Sequence, residues 1–322
     1  MNKIGRRRKR RTGLLAKAAV FSLLIFLAYH FVTNDLASGI LYDLTGGELG
    51  SQSSTEQSNT RLVPPSEGVV IVTFIDVGQG DSVLIQTAQS NILIDTGSRI
   101  HNEACFFSTI NEMGVTEIDL LILSHPHEDH IGNAARLIQE ATVHEVKYST
   151  GSYDFIDTRT WERTLEAIDE MSTLVTYAQP GQHRIFDDVL IEILGPIPEV
   201  MNSANNSSIF TRITHGNNVF QFSGDAYEEA ELAVVRSGSL HEVDVVMLGH
   251  HGSSTSSAID YLLALDPTYA IISVGYNNQY GHPHTSVLSL LDDMDVMVYR
   301  TDLLGTIQAI SDGQYIRFVA ER

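Results

Sequence analysis

From Gly68 onward, short runs of β-branched and other apolar residues alternate with segments of helical periodicity. Three runs at residues 69–77, 82–87 and 91–94 predict strands, and a Gly-Gln-Gly segment between the first two would form a tight turn. The remaining pattern predicts helices over residues 103–113, 131–141, 159–171, 228–236, 257–265 and 286–294, and strands over 118–123, 143–148, 189–194, 209–213, 219–222, 243–248, 269–274 and 296–299. Because strands occur in groups and also alternate with helices, we expect an α/β fold of two facing sheets with helices outside.

The N-terminus has a different pattern, a basic cluster followed by an apolar stretch. Residues 6–11 are all Arg or Lys, and residues 13–32 are mostly apolar apart from Lys17. A helix of this length, at about 1.5 Å per residue, matches the roughly 30 Å hydrocarbon core of a bilayer, and Lys17 is near enough to its end to snorkel. We therefore expect a single-pass anchor in the cell membrane with a cytoplasmic N-terminus. A cleaved signal peptide, which would make the chain a secreted one, is the alternative.

The next segment, residues 45–67, contains many turn-forming residues and few large apolar ones, which is typical of a flexible linker. The sequence thus predicts four parts. They are a basic cytoplasmic tail (1–12), a transmembrane anchor (13–33), a flexible linker (34–67) and a folded extracytoplasmic domain (68–322).

The charge is uneven and, beyond the N-terminus, strongly acidic. The 322 residues include 20 Lys and Arg against 40 Asp and Glu, but eight of the basic residues lie within the first 17 positions, before the first acidic residue, Asp35. Such a body disfavours tight nonspecific DNA binding, because affinity for nucleic acids comes largely from Lys and Arg that neutralise phosphates. Cys105 is the only cysteine, which excludes an intramolecular disulfide and a thiolate zinc finger.

The first candidate for chemistry is a set of four metal-binding side chains within six residues: His125, His127, Asp129 and His130. They follow an apolar strand and lead into a predicted helix. On an extended loop, His125 and His127 project to one side, while Asp129 and His130 at the helix start can face the same point. Imidazole and carboxylate are ligands of first-row divalent metals. A histidine-rich surface loop is the alternative, but open α/β folds place their sites at the carboxyl ends of strands.

Two other predicted strands end in similar residues. Asp225 follows one apolar run, and His250 with His251 follows another. Together with His282 and His284, these segments and the first loop contain seven of the thirteen histidines, while the other six are scattered singly. This clustering favours one shared metal site.

Six short motifs carry a resemblance to a known family. In chain order they are FIDVGQGDS (74–82), LIDTG (93–97), SHPHEDH (124–130), SGD (223–225), GHHGS (249–253) and GHP (281–283). In this order they resemble the metallo-β-lactamase superfamily and, within it, the extracytoplasmic hydrolase-like domain of ComEC-type competence proteins. The resemblance spans residues 68–322 and leaves out the polytopic, channel-like region of full-length ComEC proteins. We therefore expect a freestanding, singly anchored relative, to which channel function does not carry over.

The resemblance implies an αββα sandwich with two divalent metal ions between the edges of the sheets, zinc first and manganese as the other candidate. The ligands it implies are His125 and His127 for the first metal, Asp129 and His130 for the second, and Asp225 as the bridge. One histidine of the 250/251 pair would complete the second site, and His250 is favoured because it directly follows the strand.

Two further residues are implied to act around the metals. Asp95 matches an aspartate that orients the metal-binding loop through hydrogen bonds and is not itself a ligand. Asn206 lies in the segment where many members of the superfamily supply a third histidine to the first metal. The first site is therefore expected to be short of one imidazole.

The implied mechanism is hydrolysis by a hydroxide held between the two metals, since coordination lowers the pKa of water toward about 7. Asp129 is assigned to this reaction centre as well as to the metal site, and His282 or the unligated pair member, His251, is the candidate acid for the leaving group. Ser253 and Ser254 precede a helix expected to begin at about residue 256, so hydroxyls and free amides there would suit phosphate oxygens. Ordinary helix capping is the alternative.

The sequence thus predicts a metal-dependent hydrolase outside the membrane that cleaves a phosphodiester, with DNA and wall polymers as the candidate substrates. Lactone and thioester hydrolysis also occur on this fold, which alone does not select the substrate. The alternative from another class is a noncatalytic, membrane-tethered metal-binding module that serves competence, DNA uptake or envelope partners.

Overall fold

Two β-sheets lie face to face in the computed structural model, which describes residues 65–153 and 158–322. The described strands are β1 (Val70–Phe74), β2 (Val83–Gln86), β3 (Asn91–Ile94), β4 (Glu117–Ile118), β5 (Leu120–Ile122), β6 (Thr142–Val143), β7 (Glu145–Tyr148), β8 (Leu174–Tyr177), β9 (His183–Phe186), β10 (Val189–Ile193), β11 (Thr211–His215), β12 (Asn218–Phe222), β13 (Val245–Met247), β14 (Tyr269–Ile272), β15 (Met297–Arg300), β16 (Ile307–Ser311) and β17 (Ile316–Ala320). The described α-helices are α1 (Arg99–Glu112), α2 (Glu128–Ile131), α3 (Ala134–Glu140), α4 (Arg159–Met171), α5 (Glu228–Ser237), α6 (Ile259–Leu265), α7 (Thr285–Asp293) and α8 (Thr301–Leu304).

The first sheet has the spatial order β17-β16-β1-β2-β3-β5-β7-β8, and the second has the order β15-β14-β13-β12-β11-β10-β9. Each sheet combines antiparallel and parallel strands. In the first sheet β3, β5, β7 and β8 run parallel, and in the second β12, β13, β14 and β15 do so. Since the carboxyl ends of parallel neighbours meet at one sheet edge, the loops after β3, β5, β12, β13 and β14 are brought together.

Apolar side chains fill three layers. Phe74, Phe220 and Ile307 belong to the cluster between the sheets. Phe106 and Trp161, from helices α1 and α4, pack with the outer face of the first sheet, and a third cluster joins the second sheet to α5, α6 and α7. Both faces of each sheet are therefore covered, which explains why a strand such as β1 is buried along its whole length and apolar at every position except Thr73. The predicted αββα sandwich is confirmed.

The structure moves the start of two predicted helices toward the N-terminus. Helix α1 begins at Arg99 and not at residue 103, because the Ser98 hydroxyl accepts hydrogen bonds from the backbone N–H groups of Ile100 and His101. The helix predicted over 131–141 is divided into α2 and α3, and α2 already begins at Glu128. The first turns of α1 and α2 are rich in polar residues, so no apolar periodicity marked where these helices begin.

Strands β8, β9, β16 and β17 were not predicted. Three of them, β8, β9 and β17, are edge strands with partly exposed side chains, so their apolar pattern is weak. The fourth, β16, is buried, but it pairs with β1 across more than 200 residues of sequence.

Within residues 65–153 and 158–322, none of the helices combines the length and apolar character that crossing a membrane requires. The predicted tail, the predicted anchor and nearly all of the predicted linker lie outside the described residues.

Candidate metal centre

The loop after β5 supplies the first half of the site. Its backbone leaves the strand at Leu123 and enters helix α2, whose N-cap is His127. This course puts His125 and His127 on the loop and Asp129 and His130 in the first turn of α2. His125 and His130 are buried, whereas His127 and Asp129 are partly exposed.

The second sheet supplies the other half from two loops. Asp225 follows β12 through a tight turn at Gly224, and it is buried. The His250–His251 pair lies in a short 3-10 turn, Gly249–Gly252, directly after β13. Both histidines adopt left-handed backbone conformations, with φ of 52° and 55°. Non-glycine residues adopt this conformation only where the surrounding structure enforces it.

These loops bring ligand atoms together in three overlapping groups, in each of which the atoms lie within 4.8 Å of one another. The second-metal group consists of Asp129, His130, Asp225 and His251; the first-metal group consists of His125, His127 and Asp225; and a third group consists of Asp81, Asp95 and His130. Asp225 belongs to both metal groups, which is the position of a bridging ligand. The first-metal group has one ligand fewer than the second.

Unsatisfied buried atoms in this cluster fit a cation. Nε2 of His130 and Oδ1 of Asp225 are buried and form an ion pair at 3.2 Å, but neither makes a hydrogen bond of good geometry. The same is true of Asp81 Oδ1, which lies 3.2 Å from His251 Nδ1. Buried polar atoms are normally satisfied, so such orphans mark a site whose partner is a bound ion or water. Imidazole and carboxylate are also the ligand types of zinc, manganese and iron.

The electrostatics of the cluster point the same way. Although burial alone would raise it, the imidazoles of His130 and His251 hold the pKa of the Asp225 carboxyl well below its usual range. Burial opposes protonation of His130, but the carboxylates of Asp225 and Asp95 outweigh it and raise its pKa. Burial and the neighbouring His130 lower the pKa of His125. The carboxylates therefore favour the charged form of His130, whereas His125 is held neutral, the form in which an imidazole binds a metal ion.

The geometry favours His251 over His250 as the ligand from the second sheet, the reverse of the preference drawn from the sequence. His251 Nε2 lies 3.3 Å from Asp129 Oδ2 and 3.6 Å from Asp225 Oδ1. Its Nδ1 lies 3.0 Å from the carbonyl oxygen of Ser273, which directs Nε2 toward the carboxylates. His250 is absent from the three groups formed by the described residues, and its Nδ1 instead lies 2.8 Å from the hydroxyl of Thr255. His250 Nε2 also faces the cluster, 3.7 Å from Asp225 Oδ2, but His251 approaches Asp129 as well and is more deeply buried.

Asp95 makes the contacts that its predicted orienting role requires. Its carboxylate accepts hydrogen bonds from the backbone N–H of Ser124 at 2.7 Å and from the Ser124 hydroxyl at 2.5 Å. It also lies 2.8 Å from His130 Nδ1, which leaves Nε2 of that ring free to face Asp225. Burial raises the pKa of the Asp95 carboxyl, while His130 opposes that shift.

His282 lies beside the cluster. Its ring centroid is 5.6 Å from that of His250 and 6.3 Å from that of His251, and its Nδ1 is buried without a hydrogen-bond partner. Burial, followed by the nearby His251 and His250, lowers the pKa of His282 to about 4. The ring is therefore neutral at neutral pH, which weakens its assignment as a general acid in the free protein.

The helix N-terminus predicted beside Ser253 and Ser254 is not formed there. Helix α6 begins only at Ile259, and the backbone N–H groups of Ser257 and Ala258 donate to the carboxylate of Glu231 at 2.9 and 2.7 Å. These amides are therefore unavailable to phosphate. Ser253 bonds instead to Thr255, and the backbone N–H of Ser254 donates to His284 Nδ1 at 2.9 Å.

Asn206 supports the backbone near the site. Its Oδ1 accepts a hydrogen bond from the backbone N–H of Tyr227, and its Nδ2 donates to Asn202 Oδ1. Two residues later, the Ser208 hydroxyl accepts a hydrogen bond from the backbone N–H of Asp225 at 3.1 Å. The segment that lacks the third histidine thus holds the turn that carries the shared ligand.

Sequence reasoning assigned no role to Asp81 or Glu231. Asp81 Oδ1 lies 3.2 Å from His251 Nδ1, and the aspartate is buried. The sequence did contain a signal for Asp81, because this residue belongs to the FIDVGQGDS motif that carries the family resemblance. Glu231 is fully buried in the first turn of α5. Nothing distinguishes it in the sequence from Glu228 and Glu229 beside it.

Comparison with known proteins identifies relatives of this chain. The family model of the metallo-beta-lactamase superfamily matches residues 75–276. ComE operon protein 3 of Bacillus subtilis is 33% identical over 260 residues, and competence protein ComA of Neisseria gonorrhoeae is 31% identical over 252 residues; each match covers 76% of this chain and 33% of the relative. The chain therefore spans about a third of the length of these curated relatives. Among solved structures, CmlA, a diiron beta-hydroxylase from Streptomyces venezuelae, matches with a TM-score of 0.50 and 16% identity over 77% of this chain and 54% of that one, a likeness in fold.

Proposed function

Because this chain belongs to the metallo-β-lactamase superfamily, we propose that it is a metal-dependent hydrolase that cleaves phosphodiesters. The observation that carries the proposal is the second-metal group, in which four ligand atoms from both sheets converge around buried, unsatisfied atoms of His130 and Asp225. Members of a fold family differ in reaction, so the proposal depends on this site and not on the fold alone.

Asp129, His130, Asp225 and His251 would hold one metal ion, and His125, His127 and Asp225 the other. Bound divalent ions would supply two things, a lower pKa for a water molecule and neutralisation of charge on the attacked phosphoryl group. Zinc and manganese both accept this set of imidazole and carboxylate ligands.

The protein's own residues would orient these ligands and handle protons. Asp95 holds the ring of His130 through Nδ1, and the Ser273 carbonyl holds that of His251 in the same way. His282 lies at the rim with an unpartnered Nδ1. An anionic phosphate beside this ring would raise its pKa, so that substrate binding would help to charge the imidazole that protonates the leaving group.

The names of the curated relatives favour a role in competence, and DNA is accordingly the first candidate substrate, with an envelope polymer as the second. The acidic body does not conflict with an anionic substrate, because divalent ions concentrate positive charge at the reaction centre. Anchoring through residues 13–33 and display outside the cytoplasmic membrane belong to the same proposal. Their support is the basic and then apolar pattern of the N-terminal sequence.

The test measures metal content and hydrolysis of bis-p-nitrophenyl phosphate by the full chain, with zinc and with manganese. We expect hydrolysis that a chelator abolishes and that His130→Ala reduces to background. His144→Ala is the matched control, since His144 is exposed and lies at the amino end of β7, whereas the metal-binding loop follows the carboxyl end of the parallel strand β5. If wild type and His130→Ala bind metal yet are equally inert with both ions, the noncatalytic metal-binding module replaces the hydrolase as the function.

A further inference from the structure

An open cavity of about 400 Å³ lies beside the turn that leads into Asp81 of the candidate metal centre. Its walls are the Gly78–Gln79 turn and the loop after β14, residues 275–280, with His101 at one side. None of the described residues that line it is Asp, Glu, Lys or Arg. In a chain with twice as many acidic as basic residues, the lining of this cavity is free of carboxylates.

Two tyrosines of this loop are unusually exposed. Tyr276 is 80% exposed and Tyr280 is 54% exposed. Both line the same cavity. Single exposed apolar residues are common on protein surfaces, but aromatic rings grouped beside a reaction centre are typical of binding sites.

A series of rings connects this cavity with the metal cluster. The Tyr280 ring is stacked on that of His282, with centroids 5.6 Å apart and an interplanar angle of 25°. His282 in turn lies 6.3 Å from His251, a member of the second-metal group. A planar group bound at Tyr280 would therefore be about one ring beyond the residues that flank the metals.

The cavity is held in place by hydrogen bonds to the same turn that supports the metal loop. Gln79 Oε1 accepts a hydrogen bond from the backbone N–H of Gly275, and the Ser273 hydroxyl donates to the carbonyl of Gly80. Gly80 has φ of +144°, and a Cβ there would lie 2.2 Å from the carbonyl oxygen of Asp129. Only glycine permits this approach, which joins the cavity wall to the metal-binding loop.

The tyrosine loop is also braced internally by Asn278. Its Nδ2 donates to the carbonyl oxygens of Gly275 and His282, and its Oδ1 accepts from the backbone N–H groups of Tyr280 and His282. One amide side chain thus closes the loop on itself. The rings are presented on a preorganised segment, which lowers the entropy lost when a ligand binds.

We propose that Tyr276 and Tyr280 form a stacking subsite for bases of a single-stranded nucleic acid, next to the phosphodiester held at the metal cluster. Base stacking on aromatic side chains tolerates all sequences. Bound divalent ions would supply, at the phosphodiester, the positive charge that a basic groove supplies in other single-strand binders. A polyol-phosphate wall polymer has no planar face to stack, and the bases of a duplex are covered by their neighbours. The inference rests on the proposed function and selects between its candidate substrates.

The first experiment measures binding, with hydrolysis suppressed. A short single-stranded oligonucleotide with phosphorothioate linkages and one 2-aminopurine is titrated with the full chain, both metal-free and zinc-loaded. We expect quenching by the wild type and by Tyr276→Phe and Tyr280→Phe. Loss of stacking in Tyr276→Ala and Tyr280→Ala should raise Kd by about 5-fold to 150-fold, the equivalent of the usual range for one stacked base. Tyr315→Ala is the matched control, because Tyr315 is 77% exposed but lies in the turn between β16 and β17.

Because stacking tolerates every base, the matched probe is a strand of the same length that is abasic at all positions, and it should bind wild type and the two alanine variants alike. Equal binding of the base-containing oligonucleotide by wild type and alanine variants, no quenching in either metal state, or equally effective competition by polyglycerol phosphate would overturn the subsite. Failure of the proposed function has a different signature, in which the tyrosine-dependent quenching persists while wild type hydrolyses no phosphodiester. Conversely, hydrolysis of single-stranded DNA with an unchanged KM in both alanine variants contradicts the subsite and leaves the hydrolase intact.

Discussion

Two buried carboxylates, Asp95 and Glu231, support opposite sides of the candidate metal centre, and they act at different distances from its candidate ligands. In the first sheet, Asp95 contacts the ligand His130 directly, with 2.8 Å between Oδ2 and Nδ1. On the side of the second sheet, Glu231 of helix α5 accepts hydrogen bonds from the backbone N–H groups of Ser257 and Ala258, beyond the turn that contains His251. Asp95 therefore fixes the orientation of the His130 ring and favours a proton on its Nδ1, whereas Glu231 fixes the backbone conformation at residues 257 and 258.

The two carboxylates also differ in the groups that oppose the effect of burial on their pKa values. Asp95 has an imidazole partner that opposes the effect of its burial. Glu231 has only backbone N–H groups as partners, and burial outweighs them and raises its pKa to about 7. Charge on Asp95 is thus part of the site's electrostatics, while charge on Glu231 bears on the stability of the fold. The comparison predicts that Asp95 variants change metal binding and Glu231 variants change stability.

Asp225 belongs to both candidate metal groups, and its substitution should have the largest effect. Asp225→Asn removes a charged ligand from both metal groups at once, so we expect kcat/KM for the phosphodiester to fall on the order of a thousandfold, with reduced metal content. Steady-state kinetics and metal analysis of the purified chain test this. Asp260→Asn, an exposed change on α6, should leave both quantities unaltered. Retention of full metal content together with normal activity would show that the two halves do not share a ligand.

The sequence predicted one half of this site far better than the other. His125, His127, Asp129 and His130 lie within six residues, so a local motif and one strand end suffice to group them. The second half is assembled from loops after β12 and β13, and the choice between His250 and His251 depends on left-handed backbone angles that no spacing rule contains. Glu231 could not be predicted because its partners are backbone atoms 26 and 27 residues away. The sandwich itself was predictable from apolar periodicity, except where edge strands carry mixed side chains.

Single alanine substitutions of His250 and His251 test which of the two histidines binds the metal. His251→Ala deletes a member of the second-metal group, and we expect activity to fall on the order of 100-fold with loss of metal. His250→Ala removes a ring that bonds to Thr255, so its effect should stay below about tenfold. Metal titrations of the two variants in parallel provide the measurement, and each variant serves as the control for the other. A larger loss of metal in His250→Ala than in His251→Ala would restore the ligand predicted from the sequence.

Substitution of Asp95 tests the brace of the first half. The two carboxylate oxygens of Asp95 contact the backbone N–H of Ser124 and the Nδ1 of His130. In Asp95→Asn, an NH₂ group replaces one of these oxygens, so one of the two contacts loses its acceptor. We expect metal affinity to fall by about 10-fold to 100-fold, because partners of metal-bound imidazoles fix ring tautomer and orientation. Asp119→Asn is the control, since Asp119 accepts a backbone N–H from Asn91 in the same sheet without contacting the ligands. Equal metal affinity in both variants would contradict the orienting role.

Glu231→Gln should have the smallest effect on the metals and a pH-dependent effect on stability. The folded pKa of Glu231, about 7, lies above its ordinary value of 4.5. The folded chain therefore binds this proton more tightly than the unfolded chain does. The resulting stabilisation is fully present below about pH 4.5 and is lost as the pH rises through 7, a change of about 3 kcal/mol.

Glutamine cannot titrate and offers one acceptor to two N–H groups, so Glu231→Gln should be less stable than wild type at pH 5, with a gap that narrows by pH 8. Denaturant unfolding of both chains in a chelator isolates the difference, because the histidines of the cluster titrate in both and cancel. Metal affinity at pH 7 should remain close to that of wild type, in contrast to Asp95→Asn. A stability gap that stays constant or widens from pH 5 to pH 8 would mean that Glu231 is ionised over this whole range. Asp95 and Glu231 would then both act as charged groups, and they would differ only in their distance from the metal-binding residues.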